Sequence, residues 1–135
     1  MTDVENACQK LSRQLGQRGS VFEAMKKQLR YFAGRQIRNV ASLAGNIVTA
    51  SPISDINPLL VAANASLMIE SKSGGKATLA MSDFFISYRT TKLPRDAIIT
   101  GIRIPLPPRT SREVVKAYKQ AKRKDDDIAL SLIHI

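Results

Sequence analysis

The sequence predicts an α+β fold, in which helices flank a small antiparallel sheet. Apolar residues in the first 32 positions recur every three to four residues, which is the spacing of an amphipathic helix. From residue 66 onward, short β-branched runs are separated by glycine and proline, which is typical of strands. A chain of 135 residues can bury a core, and its 44% hydrophobic content is ordinary for a globular protein.

Two amphipathic helices are predicted at the start of the chain. The first covers Asp3–Leu15, and Thr2 or Asp3 is placed to cap it. The second runs from Val21 to Phe32, with its apolar residues again on one face. Both apolar faces indicate core packing. Cys8 lies in the first of them, so we expect a buried apolar residue rather than a nucleophile.

Short helices are predicted in the middle of the chain, where turn-forming residues are frequent. Asn39 is expected to cap a helical turn at Val40–Ala44. Asp55 is expected to cap a second helix at Ile56–Asn64. Pro58 falls in the first turn of that helix, where a missing N–H group is tolerated.

The second half of the chain is predicted to form the sheet. A Gly-Gly pair between Ser66–Ser71 and Lys76–Ala80 indicates a hairpin. A helix is expected at Ser82–Tyr88, begun by its serine. Two further strands are expected at Ala97–Ile104 and Val114–Lys119, because both runs are rich in β-branched residues.

Charge and composition restrict the function classes. The net charge of +10 suits nucleic acid, an anionic lipid surface or a phosphate-bearing cofactor, and equally a solvated face or one face of a larger assembly. A nucleic-acid partner is disfavoured, because no recognition module is present and tryptophan is absent. No apolar run approaches about 20 residues, so we expect no membrane partner. One cysteine and one histidine argue against a disulfide framework and a metal site, and we expect a soluble protein of the reducing cytoplasm.

The segment Phe32–Asp55 is the strongest candidate for a binding site. It mixes glycine, asparagine, serine and threonine with apolar residues, so a phosphate can approach its backbone closely. Phe32 offers a ring contact at one end and Asp55 a carboxylate at the other, which suits a cofactor with a ring and a sugar. A tightly turned core segment explains the same composition. No catalytic acid, base or nucleophile can be assigned, since His134 has no candidate partner.

This segment, with Asn57-Pro58 after it, resembles the flavin domain of xanthine dehydrogenase and related molybdenum hydroxylases. Further matches follow in the same order: Phe84-Phe85, Tyr88-Arg89, Ile102–Pro105 and Tyr118–Ala121. The resemblance implies that the α+β fold is part of a two-subdomain FAD-binding domain of the molybdopterin dehydrogenase type. Residues 1–20 would be an N-terminal helix that precedes the flavin domain or lies within it. Residues 21–105 would be part of the second FAD-binding subdomain, and 106–129 the start of the C-terminal subdomain.

The resemblance also implies which residues contact FAD. The matching positions are Phe32, Ser42, Gly45, Asn46, Thr49, Ser51, Asp55, Ile99 and Lys119. The aromatic ring would pack against the cofactor, the small residues would receive its phosphates and ribityl chain, and Asp55 and Lys119 would be polar contacts. Ala44 stands where the family usually has glycine, but Gly45 still allows close backbone approach. The loop 120–127 resembles the segment that influences access of NAD to the flavin.

The family's reaction supplies the functional expectation. The parent enzyme would hydroxylate hypoxanthine and xanthine to urate at a molybdenum cofactor and pass electrons through 2Fe–2S clusters and FAD to NAD. FAD and NAD, the remaining domains of that enzyme and a second copy of it are the expected partners. The alternatives are an aldehyde oxidase or another FAD-containing molybdenum hydroxylase and, in a different class, a basic nucleic-acid-binding protein.

The chain is expected to be a fragment. The family's upstream glycine-containing phosphate loop has no match here, so we expect weak FAD binding and no activity from these 135 residues alone. Residues 130–135 are also what a transposase-end library adaptor encodes. We therefore expect them to be a non-native tail, and the alternative is a natural strand that diverges from the family.

Overall fold

The chain begins with helices and ends with strands. The structure, a computed structural model, describes residues 1–111, 113–119 and 131–134, and only the backbone of the last stretch. The helices are α1 (Thr2–Leu15), α2 (Ser20–Leu29), α3 (Arg35–Val40), α4 (Leu43–Val48), α5 (Asn57–Ala62) and α6 (Met81–Phe84). The strands are β1 (Ser66–Ser71), β2 (Gly75–Ala80), β3 (Phe85–Ser87), β4 (Thr90–Thr91), β5 (Ala97–Arg103), β6 (Lys116–Lys119) and β7 (Ser131–His134). A 3₁₀ turn, Gly16–Gly19, joins α1 to α2.

Antiparallel pairing organises all the described strands. The main sheet has the order β2-β1-β5, and its hairpin runs from the Ser66–Ala80 pair to the Ser71–Gly75 pair. A register shift at Met68/Ile69 interrupts the β1–β5 ladder. The pairs β3–β4 and β6–β7 form two smaller sheets. These elements confirm the predicted α+β class and the predicted hairpin.

The core lies between α1 and α2, the α4–α5 segment and the inner face of the main sheet. Its fully buried side chains include Met25, Leu29, Leu59, Leu60 and Phe84. Burying each such side chain contributes about 1.5–3 kcal/mol relative to leaving it in water. Cys8 is buried in the same cluster, which confirms the prediction that it is an apolar core residue.

The predicted start of α1 and end of α2 were wrong. Neither Thr2 nor Asp3 caps α1 with its side chain, and the Glu5 N–H donates to the Met1 carbonyl at 3.0 Å instead. Helix α2 stops at Leu29 and not at Phe32. The reason is local: the chain leaves the helix through short turns in which the N–H of each residue bonds the carbonyl three positions back.

The capping residues of α4 and α5 also differ from the prediction. Asn39 lies inside α3, and its side-chain oxygen accepts a hydrogen bond from the Thr2 hydroxyl at 2.7 Å. Ser42 caps α4, because Ala41 and Ser42 are extended and the serine oxygen accepts from the Gly45 N–H. At α5 the Ser54 hydroxyl, rather than Asp55, accepts from the Asn57 N–H at 3.2 Å. The proline in the first turn of α5 is confirmed.

The predicted helix Ser82–Tyr88 was also wrong, because it is split between α6 and a hairpin. Helix α6 ends at Phe84, and the next three residues pair with Thr90–Thr91. Arg89 takes a left-handed φ of 53° at the turn, and the Lys92 N–H donates to the Phe84 carbonyl at 2.9 Å. The hairpin therefore satisfies backbone groups that a longer helix would have bonded internally.

Strand β6 is shorter than predicted, because it begins at Lys116 and not at Val114. The loop 120–127 lies outside the described residues. No helix in the described part of the chain is long and apolar enough to cross a membrane.

Candidate functional site

The Phe32 turn is held in place from the next helix. Ala33 has a left-handed φ of 43°, which a non-glycine residue adopts only when its surroundings hold it there. The Arg38 guanidinium donates hydrogen bonds to the carbonyls of Phe32 (3.0 Å) and Ala33 (3.1 Å). Phe32 itself is half-buried and packs against the core cluster. One side of its ring therefore faces the protein, while part of it remains accessible.

Helix α4 gathers the small polar residues of the predicted site. The Ser42 oxygen accepts from the Gly45 N–H at 2.9 Å, and the Thr49 hydroxyl donates to the Gly45 carbonyl at 2.7 Å. A Cβ added at Gly45 would stand 2.7 Å from the Ser42 oxygen, so only glycine fits without a shift. After these bonds, the serine can still donate its O–H and the threonine oxygen can still accept. Ser42, Gly45 and Thr49 are all exposed, so a ligand can reach them.

The loop after α4 continues this polar surface. The Ser54 hydroxyl donates to the Asn46 side-chain oxygen at 3.1 Å, which ties α4 to the start of α5. The Ser51 oxygen accepts from the Ile53 N–H at 3.4 Å. The side-chain NH₂ of Asn46 and the O–H of Ser51 keep hydrogen-bonding capacity beyond these contacts. Both residues are half-buried at the edge of the surface.

Asp55 lies at the junction of three elements. Its Oδ1 accepts from Nε2 of Gln28 in α2 at 3.1 Å, and its Oδ2 accepts from Nζ of Lys119 in β6 at 3.0 Å. The same ammonium lies 3.5 Å from the carbonyl oxygen of Tyr31, next to the Phe32 turn. The Lys119 side chain is 3% exposed and that of Asp55 is 11% exposed. This ion pair is therefore largely removed from water, and each charge depends on the other.

The structure brings eight of the nine predicted residues into one connected region. Ser42, Gly45, Asn46, Thr49 and Ser51 belong to α4 and its following loop, and Ser54 links that loop to Asp55. Lys119 joins Asp55 to the neighbourhood of Phe32. Ile99 lies elsewhere, on β5 opposite Ile69, and packs against the core. No hydrogen bond described above connects its strand with α4.

An apolar groove of about 510 Å³ adjoins the loop. Pro52, Pro58, Phe85 and Tyr88 line it together with Asn57. Asn57 is 5% exposed, and within the described part of the chain neither polar atom of its amide has a hydrogen-bond partner. An unpaired buried amide is costly, so its presence beside an apolar groove indicates a ligand with a hydrogen-bonding edge.

The buried amides of Asn57 and Gln28 are not among the residues that the sequence predicts for the site. In the sequence Asn57 is only part of an Asn-Pro pair, and nothing there shows that its amide is buried. Gln28 did carry a signal, because it falls on the apolar face of α2 three residues after Met25. A polar residue in that position needs a partner, and the partner is Asp55.

The donor set matches a phosphorylated, polyhydroxylated cofactor. Exposed hydroxyls, an amide and a closely approachable glycine backbone stand beside a carboxylate–ammonium pair, and an apolar groove adjoins them. Sugar and ribityl hydroxyls bond carboxylates and hydroxyls, and phosphates approach backbone N–H groups where no Cβ intervenes. The residues present therefore fit FAD.

Comparisons with known proteins agree with this chemistry. The family model described as the FAD binding domain in molybdopterin dehydrogenase matches residues 2–107. The xanthine dehydrogenase of Blastobotrys adeninivorans is 55% identical over 96% of this chain and 9% of its own length. The nicotinate hydroxylase of Emericella nidulans is 57% identical over 82% of this chain and 8% of its own length.

A solved structure supports the fold. The carbon monoxide dehydrogenase of Hydrogenophaga pseudoflava matches with a TM-score of 0.65 and 22% identity, over 74% of this chain and 34% of that chain. The chain thus spans about a tenth of its curated relatives and about a third of this structural neighbour. It belongs to the family of FAD-binding domains of molybdopterin dehydrogenases, as part of such a domain in the xanthine dehydrogenase-like molybdenum hydroxylases.

Proposed function

We propose that this chain is the FAD-binding portion of an oxidoreductase that hydroxylates hypoxanthine and xanthine to urate and passes the electrons through FAD to NAD. The observation that carries the proposal is the 55% identity to a xanthine dehydrogenase across 96% of the chain. The matched region covers 96% of the chain and therefore extends across the binding surface described above. The substrate and the electron acceptor are proposals, because the chain spans about a tenth of that relative.

Each of the polar residues has a role in this proposal. Ser42, Thr49 and Asn46 hold the phosphates and the ribityl chain, and Asp55 with Lys119 binds cofactor hydroxyls. The groove beside Asn57 suits a flat ring with a hydrogen-bonding edge. The cofactor supplies the redox chemistry, while these residues bind and orient it and keep water from its apolar face.

A second candidate function is hydroxylation of nicotinate or of another heterocycle by a related molybdenum hydroxylase. The 57% identity to a nicotinate hydroxylase over 82% of the chain favours it. An aldehyde oxidase belongs to the same group of alternatives. All of these enzymes would use this segment in the same way, to hold FAD.

The partners follow from the same proposal. NAD would accept electrons from the bound flavin, and the remaining domains would bring the molybdenum cofactor and the 2Fe–2S clusters. A homodimer of the full enzyme in the cytoplasm or the peroxisome completes the proposal. The net charge of +10 on this chain would then face acidic surfaces of the larger enzyme or the phosphates of FAD and NAD.

A chimera tests the proposal directly. Residues 1–129 of this chain would replace the matching segment of the Blastobotrys adeninivorans xanthine dehydrogenase, and FAD content and NAD reduction with xanthine, the substrate of the host enzyme, would be measured. We expect the chimera to retain FAD and to reduce NAD with xanthine. Asp55→Asn should weaken FAD retention about tenfold, because a charged hydrogen-bond acceptor is lost.

The matched control is Asp96→Asn. Asp96 is an exposed carboxylate that binds Ser73 beside the β1–β2 turn, so FAD retention should not change. A chimera that folds but loses FAD, while the parent enzyme keeps it, would contradict the proposed cofactor role. A chimera that holds FAD yet reduces no NAD with xanthine would contradict the proposed transfer of electrons from this FAD to NAD.

A further inference from the structure

Gln28 occupies a position where a polar side chain is unexpected. It lies on the face of α2 that also buries Val21, Phe22, Met25 and Leu29, and it is 1% exposed. A buried amide is tolerated only when it is hydrogen-bonded, and an apolar residue here would extend the core without that requirement. The glutamine is therefore explained by the bond that its amide makes.

That bond goes to the carboxylate of Asp55. Gln28 Nε2 donates to Oδ1 at 3.1 Å, while Lys119 Nζ donates to Oδ2 at 3.0 Å. The two donors come from different elements, α2 and β6, and each takes a different oxygen. The χ2 angle of an aspartate, which sets the plane of its carboxylate, has a broad and roughly two-fold distribution when nothing restrains it. Donors on both oxygens restrain it and fix the plane of the carboxylate.

The neutral charge of the glutamine matters as well. Asp55 and Lys119 already cancel each other in a place that is largely removed from water. A lysine or arginine at position 28 would add an uncompensated buried charge, and a leucine would remove the donor to Oδ1. An uncharged donor of this length orients the carboxylate and leaves the charge balance unchanged.

We propose that Gln28 is a positioning residue for FAD: its side-chain amide holds the Asp55 carboxylate in the orientation in which that carboxylate binds the cofactor. The inference rests on the proposed FAD contact of Asp55. Gln28 itself lies beneath the binding surface, within the core, and acts through Asp55.

The test uses the chimeric enzyme described above, stripped of FAD and titrated with FAD by fluorescence. Gln28→Leu should weaken FAD binding about tenfold at every pH, because the donor to a charged acceptor is lost. Gln28→Glu should weaken binding at pH 8, where two carboxylates repel each other. Lowering the pH protonates the carboxyl group that Gln28→Glu introduces, and its O–H then replaces the lost donor. Binding should then return to within about threefold of the unsubstituted chimera at the same pH.

A double-substitution cycle separates positioning from a structural role. In the Asp55→Ala background, which removes the carboxylate that Gln28 orients, Gln28→Leu should weaken FAD binding by no more than about twofold. Ala24→Gly, on the same helix and buried, is the matched control: it lowers the melting temperature but leaves FAD affinity unchanged.

Each outcome bears on the proposal. Recovery of Gln28→Glu at low pH together with non-additivity in the cycle supports it. If both Gln28 variants bind FAD like the unsubstituted chimera while Asp55→Asn binds weakly, the positioning role is wrong and the Asp55 contact stands. If Asp55→Asn itself binds FAD normally, the proposed contact fails and the inference fails with it. Full additivity in the cycle reduces Gln28 to a structural residue.

Discussion

At the scale of single residues, Asp55 connects more of the molecule than any other side chain described above. It follows α4 and its loop, receives an amide from α2 and an ammonium from β6, and stands just before α5. The Lys119 partner is 64 residues away along the chain. Removing one charge leaves the other buried without its counterpart, and this lowers the free energy of unfolding strongly. Replacing both residues by uncharged ones changes the free energy of unfolding much less.

We therefore predict that Lys119→Met lowers the free energy of unfolding by about 3 kcal/mol. The double variant Lys119→Met/Asp55→Asn should recover most of that loss, because no unpaired charge remains. Urea unfolding of the two single variants and the double variant measures both effects. Equal losses in Lys119→Met and in the double variant would show that the ion pair is not the source of the destabilisation.

Cys8 gives a second prediction at this scale. Burial, and to a smaller extent the nearby Glu5 carboxylate, raises the pKa of its thiol to about 11. At pH 8 only roughly one thiol in a thousand is then ionised, and the thiolate is the reactive form. We expect the folded protein to react slowly with a disulfide reagent such as DTNB, and the rate to rise with pH toward the pKa.

The control for this prediction is the same chain in guanidinium chloride, where the thiol should react completely within the mixing time. Cys8→Ala should show no reaction under either condition, which assigns the signal to this residue. Rapid labelling of the folded chain at pH 8 would mean that the α1 packing opens readily.

At the scale of elements, α4 is the part of the site that depends most on its ends. It has six residues, too few to be stable as an isolated helix. It is held by the buried side chain of Ile47, by the Ser42 cap and by the Thr49 hydroxyl on the Gly45 carbonyl. The cap and the glycine form one unit, because a Cβ at residue 45 would press against the capping oxygen.

This arrangement predicts an interaction between two substitutions. Ser42→Ala should lower the free energy of unfolding by about 1 kcal/mol through loss of the cap. Gly45→Ala should also destabilise the protein, although alanine is the better helix former, because it displaces the Ser42 oxygen. In the Ser42→Ala background the obstacle is gone, so Gly45→Ala should become stabilising by about 0.5–1 kcal/mol.

Thermal or urea unfolding of the four proteins in this cycle checks the change of sign. Ala44→Gly is a useful control, since it weakens the same helix without touching the cap. If Gly45→Ala were destabilising to the same extent in both backgrounds, the close approach to Ser42 would not be its cause.

At the scale of the whole molecule, the surface proposed to bind FAD belongs to part of a larger domain. The exposed hydroxyls of α4, the Asp55–Lys119 pair and the groove beside Asn57 lie on a chain that spans about a third of its structural neighbour. Cofactor sites usually enclose most of the ligand surface. A protein that contacts FAD from one side alone therefore binds it less tightly than a complete site does.

We predict that the 135-residue chain by itself binds FAD about tenfold or more weakly than the chimeric enzyme does. Titration of FAD fluorescence with each protein under the same buffer conditions gives the comparison. Asp55→Asn in the isolated chain should remove the remaining binding if the contacts are the same. A dissociation constant below about 1 µM for the isolated chain would contradict the prediction.

Local sequence patterns were sufficient to predict the periodic elements of this protein and the family of its binding segment. The helical apolar spacing located α1 and α2, the Gly-Gly pair located the β1–β2 hairpin, and the small-residue segment around α4 carried the resemblance that the family match confirms. These features depend on neighbours within a few positions, so local patterns are sufficient to predict them.

The hydrogen-bond partners of the polar side chains depend on tertiary packing and could not be predicted from local patterns. The Asn57 N–H at the start of α5 donates to the Ser54 hydroxyl and not to Asp55, since the Asp55 carboxylate is engaged by Gln28 and Lys119 from distant elements. The unpaired amide of Asn57 and the hairpin that ends α6 are equally non-local. Local propensities indicate which residues are able to cap a helix or form a turn. Which hydrogen bond forms depends on the groups that the packing of the core brings within about 3 Å.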